Sequence, residues 1–142
     1  MNDIAHVIQL SIAPVFLLTA IGTLLGVLSS RLARIVDRAR ALNERSAEMS
    51  ETQRKAAKEE LALLVRRRRL VHGAITAGTI AALLVCLLIA SGFVGALIGW
   101  NLSYLIATLF ILVMAAFIAT LLQFLREVLL AASGVHFERG LG

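Results

Sequence analysis

Three stretches of this sequence contain no Asp, Glu, Lys or Arg: residues 4–28, 71–99 and 102–125. Each is long enough to cross a bilayer as a helix, which takes about 20 apolar residues for a hydrocarbon core of about 30 Å. The first holds 25 residues, about 37 Å of helix at about 1.5 Å per residue. It either tilts to fit or begins its crossing near Pro14, with residues 2–12 along the outer interface. A signal-peptide core is shorter, about 7–15 residues, and follows a basic stretch that is absent here, so the run reads as a retained span.

Between the first and second runs the pattern changes without losing helical character. Leu32, Ile35, Val36, Ala39 and Leu42 recur at helical spacing with arginines between them, and neither Gly nor Pro occurs after Gly26 until Gly73. The pattern lapses at residues 46–52. Ser50-Glu51-Thr52-Gln53 then has the form of a capping box that starts a new helix, and Glu51 and Lys55 form a favourable i,i+4 pair. Ala57, Leu61 and Leu64 carry an apolar stripe on toward Leu70 and Val71. Outside the membrane lipid cannot cover these stripes, so each arm covers the other.

The expectation is an all-α membrane protein: three transmembrane helices with a cytoplasmic antiparallel helical hairpin continuous with spans 1 and 2. Its segments are residues 1–29 (span 1), 30–70 (hairpin), 71–99 (span 2), 100–104 (outer turn), 105–126 (span 3) and 127–142 (cytoplasmic tail, frayed). The only Trp and Tyr, Trp100 and Tyr104, fall at the outer turn, where an interfacial aromatic belt belongs. Pro14 removes one amide hydrogen bond and frees the carbonyl of Leu10, giving either a simple bend or a carbonyl turned toward a pore.

Charge supplies the orientation. Twelve of the 14 Lys and Arg lie between Arg31 and Arg69, with six of the nine acids, while the 99–104 turn has none. Positive loops stay in the cytoplasm, which puts the N-terminus outside and the C-terminus inside a bacterial inner membrane. The same placement accounts for the basic pI without nucleic acid. Arg66, Arg67, Arg68 and Arg69 fall at headgroup level, where they would meet anionic lipid.

Candidate chemistry is sparse. The three runs hold no ionisable acid or base for a proton relay. There is one cysteine, Cys86, and no Ser/His/Asp or phosphate-loop arrangement, so no enzyme, cofactor or metal centre is expected. Asp3 and His6, three residues apart, are at most a cation site at the outer mouth.

What remains is a face of the first span. Ser11, Thr19, Gly22, Thr23, Gly26, Ser29 and Ser30 fall within an arc of about 120° at about 100° per residue, opposite Leu17, Leu18, Ile21, Leu24, Leu25 and Leu28. Gly22 and Gly26 form a GxxxG, as do Gly95 and Gly99 of the second span, and such pairs permit close helix contact. The small-residue faces favour a homo-oligomer. Ser11, Thr19, Thr23 and Ser30 are the pore-lining candidates, and the same face continues into Arg34, Asp37 and Arg40 as a vestibule.

The runs Ile12-Ala13-Pro14-Val15-Phe16-Leu17-Leu18-Thr19 and Arg31-Leu32-Ala33-Arg34-Ile35-Val36-Asp37-Arg38-Ala39-Arg40-Ala41-Leu42 resemble a bacterial membrane family designated domain of unknown function 2721. The residues 61–70 that precede an uncharged span are similar too, and the resemblance covers about residues 4–130. It implies a small inner-membrane protein with three spans and carries over no activity, ligand or catalytic residue. The function expected is a homo-oligomeric, channel-like pore for small ions or solutes. The alternative is a non-conducting scaffold whose hairpin docks a partner or anionic lipid.

Overall fold

The structure is a computed structural model that describes the backbone of residues 2–140 and the side chains of residues 4–133. Three helices account for nearly all of it: α1 (Asn2–Arg45), α2 (Glu51–Ile98) and α3 (Ser103–Gly140), with a short 3-10 turn at Ser46–Glu48. No strand occurs among the described residues. All three helices are long and apolar enough to cross a membrane.

The helix ends follow local chemistry. At the start of α2, Gln53 N–H donates to Ser50 Oγ (3.3 Å) and Ser50 N–H donates to Gln53 Oε1 (3.1 Å). This is the reciprocal capping box, which satisfies two backbone donors that a bare helix end would leave unpaired. Gly99 ends α2 with φ of +72°, a conformation that costs glycine nothing and a β-carbon residue about 1 kcal/mol. Asn101 then caps α3 by accepting from Ser103 N–H at 3.2 Å.

One helix end, that of α3, differs from the sequence reading. α1 continues unbroken through Pro14, which is buried; one missing amide bond is tolerated where neighbouring helices pack around it. α3 does not end at Arg126–Glu127 but runs on to Gly140, past the boundary expected at residue 127. Val128, Leu129, Leu130, Ala131 and Ala132 include strong helix formers, and the charge at Glu127 finds partners, as described below.

Burial follows a seven-residue repeat in every helix. In α1 the buried residues are Pro14, Ile21, Leu28, Ile35 and Leu42. In α2 they form two interleaved series, Ala57, Leu64, Val71, Gly78, Val85 and Ala74, Ala81, Leu88, Gly95. In α3 they are Val113, Thr120 and Glu127. No described residue outside these series is buried. A spacing of seven is the period of left-handed coiled coils, in which one stripe of each helix keeps facing its partners.

Contacts divide the chain into two compact units. The first comprises Met1–Gly26 and Thr76–Thr120. Its core is Ile21, Ala81, Val85 and Val113, surrounded by Leu17, Leu18, Leu25, Leu84, Ile89 and Phe117. Gly78 allows the closest approach: a β-carbon there would lie 2.9 Å from Leu25 Cδ2. The Leu face of α1 is thus spent on packing inside the chain. Gly95 of α2 is covered as well, by the Leu102 side chain and the Trp100 carbonyl, whereas nothing lies within 4 Å of a β-carbon placed on Gly22 or Gly26. Trp100 and Tyr104 are both exposed.

The second unit comprises Val27–Ile75 and Leu121–Gly142. Ile35, Leu42, Ala57 and Leu64 are buried in it, the residues whose stripes needed cover outside the runs. Arg38 reaches Glu60 at 2.8 Å, joining α1 to α2 by an ion pair on the surface of this unit; exposed pairs of this kind contribute about 0.2–1 kcal/mol.

Candidate functional site

The strongest concentration of chemistry is at Glu127, which lies in the second unit with no exposed surface. It occupies the seven-residue series of α3 after Val113 and Thr120, a position that packing would give to an apolar residue. An ionised carboxylate there has lost its water and must be compensated by fixed charge and hydrogen bonds. Both oxygens are used. Arg31 of α1 donates from Nη1 to Oε2, and Arg67 of α2 donates from Nε to Oε1 at 3.0 Å. One residue from each helix therefore meets at this point.

The arginines are held in turn. The Arg31 guanidinium lies over the Phe124 ring, 5.3 Å from its centroid, a cation–π contact that favours the charged side chain in a desolvated place. Gln123 lies one turn before Glu127 on α3, and its amide fills the space over Gly73, where a β-carbon would come within 3.0 Å of Oε1. That oxygen is buried and has no hydrogen-bond partner among the described residues.

Helical spacing sorts the four consecutive arginines of α2. Arg67 turns inward to Glu127. Arg66 and Arg69, on a neighbouring face with Leu70, line a surface cleft of about 350 Å³ together with Arg126 and Leu130 of α3. Arg68 is exposed. The run expected at headgroup level thus divides into an internal ion-pair partner and side chains left to solvent or lipid.

None of the α1 candidates takes part in the hydrogen bonds of Glu127. Thr19 and Thr23 are exposed, and their hydroxyls donate to the carbonyls of Val15 (3.1 Å) and Thr19 (3.0 Å). Ser11 is half-buried and donates to the Val7 carbonyl at 2.7 Å. Ser30, Arg34, Asp37 and Arg40 are exposed. His6 is exposed; the side chain of Asp3 lies outside the described residues, as do those of His136 and Arg139. Among the described residues no group of three or more His, Cys, Asp or Glu could hold a metal ion.

Sequence reasoning treated Arg126–Glu127 as the end of a span and missed the role of Glu127. Its place in the core series, seven residues after Thr120 and fourteen after Val113, becomes visible only once burial is known.

Three helices long and apolar enough to cross a membrane, with no strand among the described residues, make this an all-helical, multi-pass membrane protein. A family model described as "Protein of unknown function (DUF2721)" matches residues 11–137, so the chain belongs to that family. No curated protein and no solved structure matches it.

Removing Glu127 leaves two partly exposed guanidinium groups without their shared partner, at a cost below the about 3–5 kcal/mol of a fully buried pair. Glu127→Gln is expected to lower the thermal unfolding midpoint in detergent, followed by circular dichroism, far more than Glu60→Gln at the surface pair. Replacing Arg31, Arg67 and Glu127 together by Met, Met and Leu is expected to recover most of the loss. A Glu127→Gln protein that melts like the wild type would mean that the carboxylate carries no structural charge.

Proposed function

We propose that the chain forms a homo-oligomeric, channel-like pore for small ions or solutes in a bacterial inner membrane. One observation carries the reading: α1 has a polar and small face that its own chain leaves open. Thr19, Gly22, Thr23, Gly26 and Ser30 are exposed, while Ile21 and Leu28 on the other side are buried. The interior of the first unit is filled by Ile21, Ala81, Val85 and Val113, so a conducting path runs between copies and not through one of them. GxxxG pairs such as Gly22–Gly26 let helix backbones of neighbouring copies approach. Beyond the membrane, Arg34, Asp37 and Arg40 extend the same side of α1 as a charged vestibule.

In this proposal the two arms joined by the 3-10 turn form an antiparallel cytoplasmic hairpin, with the N-terminus outside and the C-terminus inside. The support is the placement of 12 basic residues between Arg31 and Arg69 against none in the 99–104 turn. No catalytic step and no cofactor enter the reading.

A second reading, a non-conducting scaffold whose hairpin docks a cytoplasmic partner, has its own support. The hydroxyls of Thr19 and Thr23 are already satisfied by backbone carbonyls of their own helix, as in a packing face that needs no water.

Two experiments test the proposal. In a Cys86→Ser background, Ser103→Cys is expected to react with an impermeant thiol reagent added to intact cells and Ser46→Cys is not; labelling at residue 46 would reverse the threading. In planar bilayers, the purified wild type is expected to conduct, and Thr19→Leu/Thr23→Leu is expected to abolish the current by closing or dewetting a path lined by hydroxyls. Absence of wild-type current, or current indifferent to the double change, would favour the scaffold.

A further inference from the structure

We infer that the cleft lined by Arg66, Arg69, Leu70, Arg126 and Leu130 binds the phosphate headgroup of an anionic phospholipid. The inference is independent of whether the assembly conducts.

The first argument is charge. Three arginines of the second unit have carboxylate partners, Arg31 and Arg67 sharing Glu127 and Arg38 pairing with Glu60, whereas Arg34, Arg40 and Arg68 have none among the described residues. Arg66, Arg69 and Arg126 have no hydrogen-bond or ion-pair partner among the described residues. They nevertheless converge on one cleft from two helices. Three arginines lining one cleft beside two leucines suit an anion with several acceptor oxygens and an apolar part. Guanidinium groups suit phosphate oxygens in particular, because their planar fork matches the geometry.

The second argument is the apolar part of the lining. Leu70 lies one residue beyond Arg69 and four beyond Arg66, and Leu130 four beyond Arg126, so each leucine shares a helix face with an arginine. Both arginine sets border the uncharged runs 71–99 and 102–125. A free phosphate would use the arginines and leave the leucines wet. A phospholipid satisfies both, with its phosphate on the guanidinium groups and the first carbons of its chains on Leu70 and Leu130. The volume, about 350 Å³, is at the small end of ligand clefts, as expected of a site that takes a headgroup and leaves the chains in the bilayer. Three positive charges favour a lipid with two phosphates over one with a single phosphate, and either over a zwitterionic lipid.

The test uses the full-length protein in detergent, with bound lipid counted by native mass spectrometry during titration with cardiolipin, phosphatidylglycerol or phosphatidylcholine. Affinity is expected to fall in that order. Each basic residue near an anionic lipid contributes about fivefold in affinity, so Arg66→Gln/Arg69→Gln/Arg126→Gln is expected to weaken cardiolipin binding about 100-fold. The charge-matched control Arg45→Gln/Lys55→Gln/Lys58→Gln is expected to retain it. Millimolar inorganic phosphate is expected not to displace the lipid. Equal loss in the control would mean general surface charge, equal retention of phosphatidylcholine would remove the electrostatic basis, and displacement by inorganic phosphate would make this a free-anion site; each overturns the inference. Should the triple variant fail to assemble, Arg126→Gln alone, expected to lose about fivefold, and the three wild-type titrations decide it.

Discussion

A seven-residue repeat governs this structure. Each helix presents one narrow stripe inward, and every buried residue among those described lies on such a stripe. A straight helix drifts by about 20° per heptad against that repeat, so keeping the stripe of α1 buried requires packing along it within each unit. The opposite sides are left to lipid, solvent or other copies. The division of labour along α1 follows: Ile21 and Leu28 face the interior, and Thr19, Gly22, Thr23 and Gly26 face away.

Glu127 is the point where this repeat carries a charge. Apolar packing in a membrane protein discriminates weakly between registers, because lipid tails are as apolar as the residues they replace. A buried carboxylate discriminates strongly. Rotating α3 by one residue would take Glu127 away from both Arg31 and Arg67 and leave three charges without partners. The pair does not have to add net stability over an apolar core to have this effect; wrong arrangements only have to cost more. The surplus of arginines around it then has somewhere else to point, and Arg66, Arg69 and Arg126 converge on the cleft.

Much of this was legible in the sequence, for reasons of contrast. Long uncharged runs announce three apolar helices, and the Ser50–Gln53 capping box announces the start of α2. The Leu face of α1 was legible because Thr and Gly mark its opposite. Burial of Ile35, Leu42, Ala57 and Leu64 was legible because charged neighbours frame them. Inside the apolar runs that contrast vanishes: Leu83 and Leu97 are exposed and Ala81 and Gly78 are buried, so hydrophobicity does not separate core from surface there. The core series also contains Pro14, Thr120 and Glu127, which no apolar pattern would select. Glu127 was read as a terminus for the same reason, since its partners lie 60 and 96 residues away in the chain.

The functional account depends on what covers the open face of α1. Among the described residues nothing lies within 4 Å of a β-carbon placed on Gly22 or Gly26, and Thr19 and Thr23 are exposed opposite the buried Ile21 and Leu28. The account holds that a second copy meets this face. The most direct measurement is cross-linking in native membranes with a short bis-maleimide, in a Cys86→Ser background. Thr23→Cys is predicted to give covalent dimers and higher oligomers, whereas Ile111→Cys, also exposed, on α3, is predicted to stay monomeric. Monomeric Thr23→Cys, or equal cross-linking at Ile111→Cys, would contradict it.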